Sequence, residues 1–144
     1  MSTLVLDSSV AVKFAFPISE EPYLYEAVHV FESYKAGETR LIVPDIFWAE
    51  IGNVAWKGVR QNRWSRRLAE TAIAGLQTQD FPTVPSRDLL REAAIIALDY
   101  NRSVYDSLYV ALAVASGSIL VSADEPLVNA LAVHFPVKWL GVMS

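Results

Sequence analysis

VYDSLYVALAVASGSILVSAD, residues Val104 to Asp124, decides how the rest of the chain is read. An aspartate opens an Ala/Leu/Val-rich run of helical spacing, Gly117 closes it, a short apolar strand follows at Ile119 to Val121, and Asp124 stands just beyond that strand. Asp106 shares a helical face with Tyr109, Val110 and Ala113, so its carboxylate projects from the first turn of the side that must be buried. Capping is one explanation, since a first-turn acid meets the positive end of the helix dipole and the free N–H groups there. Asp124, two residues before Pro126, reads in the same way as the cap of a following helix. Two further acids earlier in the chain point to another use.

The first is Asp7. Thr3 to Leu6 is an apolar run that reads as a buried strand, with Asp7 at its carboxyl end, and Ser8-Ser9 start a brief helix through Phe14 that Pro17 stops. Pro22 to Ala36 follows as an amphipathic helix with Leu24, Ala27, Val28, Phe31 and Tyr34 on one face, ended by Gly37. His29 lies off that face and reads as solvated. Leu41 to Val43 is a second buried strand. Pro44-Asp45 then opens a helix whose stripe is Phe47, Glu50, Ile51, Val54 and Gly58. Glu50 is the second acid. Flanked by apolar neighbours, it needs a cation, a donor or a metal, unless it snorkels out of the stripe to solvent. Asn53, nearly one turn on, points to the same side.

Asn62 marks a turn, and Trp64 to Gln77 is the next helix. Lys57, Arg60, Arg63, Arg66 and Arg67 crowd this window, as a solvated face or as an edge that binds phosphates. The tryptophans at 48, 56 and 64 read as core or interface residues. Phe81 to Val84 is a proline-edged strand, Ser86 to Tyr100 a helix with an early acid in its first turn, Glu125 to Ala132 another helix, and Val137 to Leu140 a last strand. Short apolar strands alternating with helices predict an α/β sandwich around a mostly parallel sheet in one domain spanning 1–144. Such sheets place their ligand crevice at the carboxyl ends of the strands. Asp7 and Asp124 follow strands directly, and Glu50 and Asp106 lie one or two turns into helices, so all four can reach one crevice.

Composition narrows the chemistry. The chain has 144 residues, 53% of them hydrophobic, yet no apolar run is long enough to span a bilayer. The start, MSTLVLDSSV, lacks the features of a signal peptide, which makes the cytoplasm the default location. With no cysteine and only His29 and His134, disulfides and thiolate metal sites are excluded and a zinc centre is disfavoured. A net charge of −4 argues against a surface that coats nucleic acid all over, not against one basic patch. Four converging carboxylates repel one another at low dielectric, and a hard divalent cation relieves that repulsion. Oxygen-only ligands select Mg²⁺ or Mn²⁺, whose bound water can be acidified and aimed at phosphorus, so phosphodiester hydrolysis is the natural reaction.

The residues also resemble a known family. LVLDSSVAVKFAFP around Asp7, the E-x-x-N of Glu50 and Asn53, YDSLYVALA from Tyr105 and VSAD ending at Asp124 are similar, in order and separation, to PIN domains, and among these to the compact ribonuclease toxins of VapBC-type toxin–antitoxin pairs. The first and third pieces are specific; the E-x-x-N alone is weak. The resemblance implies a three-layer α/β/α sandwich and an Mg²⁺- or Mn²⁺-dependent endoribonuclease whose catalytic and metal-binding acids are Asp7, Glu50, Asp106 and Asp124. It implies a supporting hydroxyl at Ser8, frequent homodimers, and an antitoxin that folds over the groove. Ser122 stands where the family often has threonine, which keeps a hydroxyl there. Lys57, Arg60, Arg63 and Arg67 are the candidate RNA contacts. Tyr23, Tyr25, Trp48, Trp56 and Trp64 are more large aromatics than a domain this size readily buries, which independently suggests a homodimer.

Three other readings stand beside this one. A receiver-like phosphoacceptor wants two adjacent acids after the first strand and a lysine after the last, whereas Asp7 is followed by Ser8 and Ser9 and Lys138 lies inside the final apolar segment. A non-catalytic PIN-like RNA- or partner-binding domain does not need acids at all four positions. A structure-specific DNA nuclease wants an arch or clamp segment, and the sequence has none.

Overall fold

The computed structural model describes residues 2–16 and 21–143. The elements run β1 (Ser2–Leu6), α1 (Ser8–Ala15), α2 (Leu24–Lys35), β2 (Thr39–Pro44), α3 (Ile46–Arg60), α4 (Arg66–Gln77), β3 (Thr83–Val84), α5 (Ser86–Tyr100), α6 (Val104–Ser116), β4 (Ile119–Ser122), α7 (Glu125–Leu131) and β5 (Val137–Trp139), with a closing 3₁₀ turn at Leu140–Val142. All strand pairings are parallel and the sheet order is β3-β2-β1-β4-β5. Parallel strands covered on both faces must be apolar throughout, and Val5, Leu6, Val43, Leu120 and Val121 are all fully buried. Helices α1 to α4 pack on one another, and α5 packs on α6. Right-handed crossovers put these groups on opposite faces, because the chain moves from β1 to β2 and β3 in one direction and returns from β3 to β4 in the other. The result is the expected three-layer α/β/α sandwich.

This strand order has one consequence for function. The connection leaving β1 goes to one side of the sheet and the connection leaving β4 to the other, which opens a crevice at the carboxyl ends of these neighbours. Leu6 pairs with Val121, so Asp7 comes level with Ser122.

Local signals mostly do what the sequence leads one to expect. Gly117 closes α6 at φ +64°, and Asn62 makes its turn at φ +58°. Helix α4 begins two residues later than its pattern suggests: Ser65 caps it by accepting the Leu68 N–H at 3.1 Å, and Trp64 is left outside the helix. The freed indole stacks on Phe16, donates to the Ala55 carbonyl at 3.2 Å, and lies so close to Gly58 that a Cβ there would sit 2.0 Å from the ring. Helix α2 starts at Leu24 rather than Pro22, and its buried residues are Ala27 and Val30. The last strand ends at Trp139, because Leu140 has already entered the 3₁₀ turn. The proposed stop at Pro17 lies outside the described residues.

Candidate active site

Three of the four acids lie near enough to one another beside the crevice for their charges to interact. Asp7 leaves the end of β1 with no capping bond to α1, only 9% exposed. Its Oδ2 accepts from two hydroxyls, Ser122 Oγ at 2.6 Å and Ser9 Oγ at 2.9 Å. Those hydroxyls in turn accept the backbone N–H groups of Asp124 and Ala123, each at 3.0 Å. A relay from the turn after β4 therefore fixes one oxygen of Asp7, while its Oδ1 makes no hydrogen bond among the described residues.

Glu50, one turn into α3, is held in the same manner. Its Oε1 accepts from Tyr109 at 2.5 Å and from Ser8 at 3.1 Å, and its second oxygen makes no hydrogen bond among the described residues. Asp106 is not the cap of α6; Ser103 is, accepting the Asp106 N–H at 3.0 Å. The Asp106 carboxylate instead takes the guanidinium of Arg102, Nη2 to Oδ2 at 3.0 Å, and its Oδ1 makes no hydrogen bond among the described residues. The Arg102 Nε is buried and has no partner among the described residues. Capping does hold for Asp124, whose Oδ1 accepts the Leu127 N–H at 3.2 Å at the start of α7.

Burial sets the electrostatics. It pushes the Asp7 carboxyl up to about 6; the Ser122 and Ser9 hydroxyls pull the other way, and the charges of Glu50 and Asp106 push it up further. Glu50 is likewise raised, by burial first and then by the charge of Asp106, against the Tyr109 and Ser8 hydrogen bonds. The Tyr109 phenol, buried beside two carboxylates, is pushed far above its usual range and stays a donor. Asp7, Glu50 and Asp106 thus feel one another's charge, although among the described residues no three His, Asp or Glu side chains stand close enough to grip one ion as placed. The donor set still suits a hard cation. It is all oxygen, each acid offers one anchored and one free oxygen, and two of the acids are uncomfortable as bare anions.

The supporting residues separate. Ser8 and Ser122 make the bonds described. Asn53 is exposed and makes no side-chain hydrogen bond among the described residues, but it lines a groove of about 360 Å³ together with Glu50, Ser8, Ile46 and Tyr105. The basic residues do not join the acids. Lys57, Arg60, Arg63, Arg66 and Arg67 are all exposed, and Lys57 and Arg60 lie about 10 to 15 Å along α3 from Glu50 at the helical rise per residue. Arg66 pairs with Glu70 at 3.2 Å. Of the aromatics, Trp64 is core and half-buried Trp48 stacks on Phe81, but Trp56 is 54% exposed beneath the Arg60 guanidinium. Trp48 and Trp64 therefore leave the set available for an interface, and Trp56 leaves the core.

Tyr109, Ser9 and Arg102 are site residues that the sequence does not single out. Only Arg102 carries a local signal, at four residues before Asp106. The hydroxyl relay gives a direct test. Ser122→Ala removes a fully buried group that serves both the Asp124 N–H and Asp7, and it is expected to cost about 1–2 kcal/mol in urea denaturation.

Comparison with known proteins bears on this geometry. The chain resembles the crystal structure of PAE2754 from Pyrobaculum aerophilum (20% identity, TM-score 0.69, covering 97% of this chain and 85% of that one). It also resembles a toxin-antitoxin complex from Klebsiella pneumoniae (16% identity, TM-score 0.61, covering 94% and 95%). A third likeness is to VapBC2 from Rickettsia felis bound to a DNA fragment from their promoter (10% identity, TM-score 0.63, covering 95% and 98%). At these identities the likeness is one of fold. No curated protein matches in sequence. The PIN domain model matches residues 4–130, nearly the whole chain and all four acids, and on that match this chain belongs to the PIN domain family.

Proposed function

We propose that this protein is an Mg²⁺- or Mn²⁺-dependent endoribonuclease and the toxin component of a type II toxin–antitoxin pair. The observation that carries the reading is that Asp7, Glu50 and Asp106, beside the crevice beyond β1 and β4, act on one another's charge, and that each has one oxygen tied to the protein and one without a hydrogen bond among the described residues. Asp7, Glu50 and Asp106 would hold the cation, with Asp124 at the edge, and the free oxygens would face ion and water. A bound cation supplies neutralisation of the phosphate oxygens and a water of lowered pKa. The protein's part is orientation: Ser9 and Ser122 fix Asp7, Ser8 and Tyr109 fix Glu50, and Arg102 balances the charge of Asp106 while no cation is there.

The partners follow from the same reading. RNA is the substrate, an antitoxin covers the crevice, and a second copy of the chain uses apolar surface that includes Tyr23, Tyr25 and Trp56, all exposed. One structural neighbour is described as a toxin-antitoxin complex and another as VapBC2 bound to a DNA fragment from their promoter, which supports an antitoxin partner. The protein would act in the cytoplasm; among the described residues no helix is long and apolar enough to cross a membrane. The deciding experiment is cleavage of a panel of structured RNAs in Mg²⁺ and in EDTA, and EDTA-insensitive or absent cleavage by the pure protein overturns the reading.

The basic stripe makes its own demand. If Lys57, Arg60, Arg63 and Arg67 follow the RNA backbone, changing two of them to Glu weakens binding to every RNA and flattens the log–log salt dependence by about one unit per lost contact. Titrations at several salt concentrations measure this, and an unchanged slope returns the stripe to a solvated face.

A further inference from the structure

We infer that Arg102 is a built-in competitor for the cation: its guanidinium holds Asp106 in the ion-free protein and is released when a divalent cation takes that carboxylate. The inference rests on the reading of Asp7, Glu50 and Asp106 as cation ligands, and adds a residue that sets how tightly the cation is held. The three acids are not anchored alike. Neutral hydroxyls hold Asp7 and Glu50, those of Ser9 and Ser122 on the first and of Ser8 and Tyr109 on the second, so neither charge is matched. Asp106 alone has a counter-ion, Arg102, and that is the one ion pair either residue makes among the described residues. Without it the Asp106 charge would press harder on Asp7 and Glu50, both of which feel it.

The grip is of a kind that can be exchanged. One N–H meets one oxygen at 3.0 Å, in place of the two parallel bonds that make an arginine–carboxylate pair strong. The pose also strands a donor, since Arg102 Nε is buried without an acceptor among the described residues, and release into water would satisfy it. The pair is not sealed in: the two side chains are 22% and 33% exposed, so the guanidinium can swing out without unfolding its surroundings. Nor does the backbone depend on it. Asn101 at φ +54° closes α5, with the Arg102 N–H on the Ala97 carbonyl at 3.2 Å, and Ser103 caps α6 by accepting the Asp106 N–H while Ser107 Oγ donates to the Ser103 carbonyl at 2.8 Å. Asp106 therefore keeps its place when Arg102 lets go. A divalent cation at Asp106 cancels the charge that holds the guanidinium and repels it besides, so cation uptake is an exchange, and Arg102 weakens the net affinity.

The test reads cation binding by the full chain, not cleavage. In calorimetric titrations with Mn²⁺, Arg102→Gln is expected to bind about tenfold more tightly than the parent, the effect of removing one positive charge a few ångströms away in a largely aqueous setting. Arg102→Lys keeps the charge and should stay within about twofold of the parent. Melts separate this from a damaged fold: Arg102→Gln should melt below the parent in EDTA, where Asp106 has lost its counter-ion, and no lower than the parent in saturating Mn²⁺. Nuclear magnetic resonance of the parent reads the release itself. The Arg102 Nε–H, identified by its loss in Arg102→Lys, should be protected from solvent exchange in EDTA and lose that protection as Mg²⁺ saturates the site. An Mn²⁺ affinity unchanged or weakened in Arg102→Gln marks Arg102 as a residue that merely orients Asp106, and an Nε–H equally protected with and without Mg²⁺ means no release; either result overturns the inference. If Arg102→Gln melts below the parent in both conditions, the resonance measurement on the parent decides alone. A parent that binds Mn²⁺ indifferently to Arg102 removes only this inference, whereas a parent that binds neither Mg²⁺ nor Mn²⁺ removes the cation-dependent ribonuclease reading with it.

Discussion

Asp7→Asn, Glu50→Gln and Asp106→Asn are each expected to lower cation-dependent RNA cleavage by about 10²–10³-fold or more, because each removes a charge from the same reacting centre. The three amides are also conservative in a way that this structure makes explicit. In Asp7→Asn the new side-chain carbonyl can still accept from Ser9 and Ser122, in Glu50→Gln from Ser8 and Tyr109, and in Asp106→Asn from Arg102. Every anchoring bond therefore survives, while the free oxygen becomes an uncharged group. Helix α6 keeps its cap in Asp106→Asn because the cap is Ser103. Loss of activity in these variants is thus attributable to the missing charge rather than to a damaged fold. Asp124→Asn is expected to lose less, about tenfold, since that carboxylate is already committed to capping α7 and its charge is not among those that raise Asp7 or Glu50. Single-turnover cleavage by each purified variant, with an inactive double variant to expose contaminating nuclease, measures the series. Full cation-dependent activity in Asp106→Asn would sink the assignment.

The sheet and two of the acids can be read from the sequence because their signals are local. An apolar run followed by Asp7, and another followed by Ser122 and then Asp124, say in a few residues that acids stand at carboxyl ends of buried strands. Helical spacing draws attention to Glu50, as an acid in an apolar stripe that is either partnered or snorkels to solvent, and only the fold shows the Ser8 and Tyr109 bonds that hold it. What stays hidden lies far apart in sequence. The Tyr109–Glu50 bond joins residues 59 apart and the Ser122–Asp7 bond residues 115 apart, and no periodicity reports which phenol or hydroxyl the fold will bring to which carboxylate. Tyr109 looks like one more large residue on the buried face of α6. Composition also cannot separate Trp56 from Trp64: both sit among basic residues, and only the end of α3 and the close approach at Gly58 decide that one indole is buried and the other left in solvent. Capping by Asp106 fails for a simpler reason. Ser103, three residues earlier, is the better cap, and its spacing to the acid is the ordinary capping-box signal.

In the absence of divalent cations, the parent protein is expected to lose stability as pH rises from about 4 to about 7, and Asp7→Asn to lose much less. The sign follows from the direction of the shift. In the unfolded chain Asp7 ionises near its ordinary 3.8, whereas in the folded protein burial holds it protonated until about 6, so between those values the folded state binds more protons. Stability must then fall with rising pH through that window and stay lowered above it, by on the order of 3 kcal/mol at about 1.4 kcal/mol per unit. Glu50, also raised, acts in the same direction. Asparagine at position 7 keeps both serine hydrogen bonds and carries no charge to desolvate, so in EDTA at about pH 7.5 the variant should melt above the parent. Added Mg²⁺ or Mn²⁺ should reverse the order, raising the melting temperature of the parent at about pH 7.5 but hardly at about pH 4.5, where protons hold Asp7, and doing little for the variant at either pH. Calorimetric melts of both proteins across about pH 4 to 8, with EDTA and with each cation, give the comparison. A parent whose metal-free stability does not change with pH, or a variant that falls as steeply as the parent, would show that Asp7 is not the strained anion its burial implies.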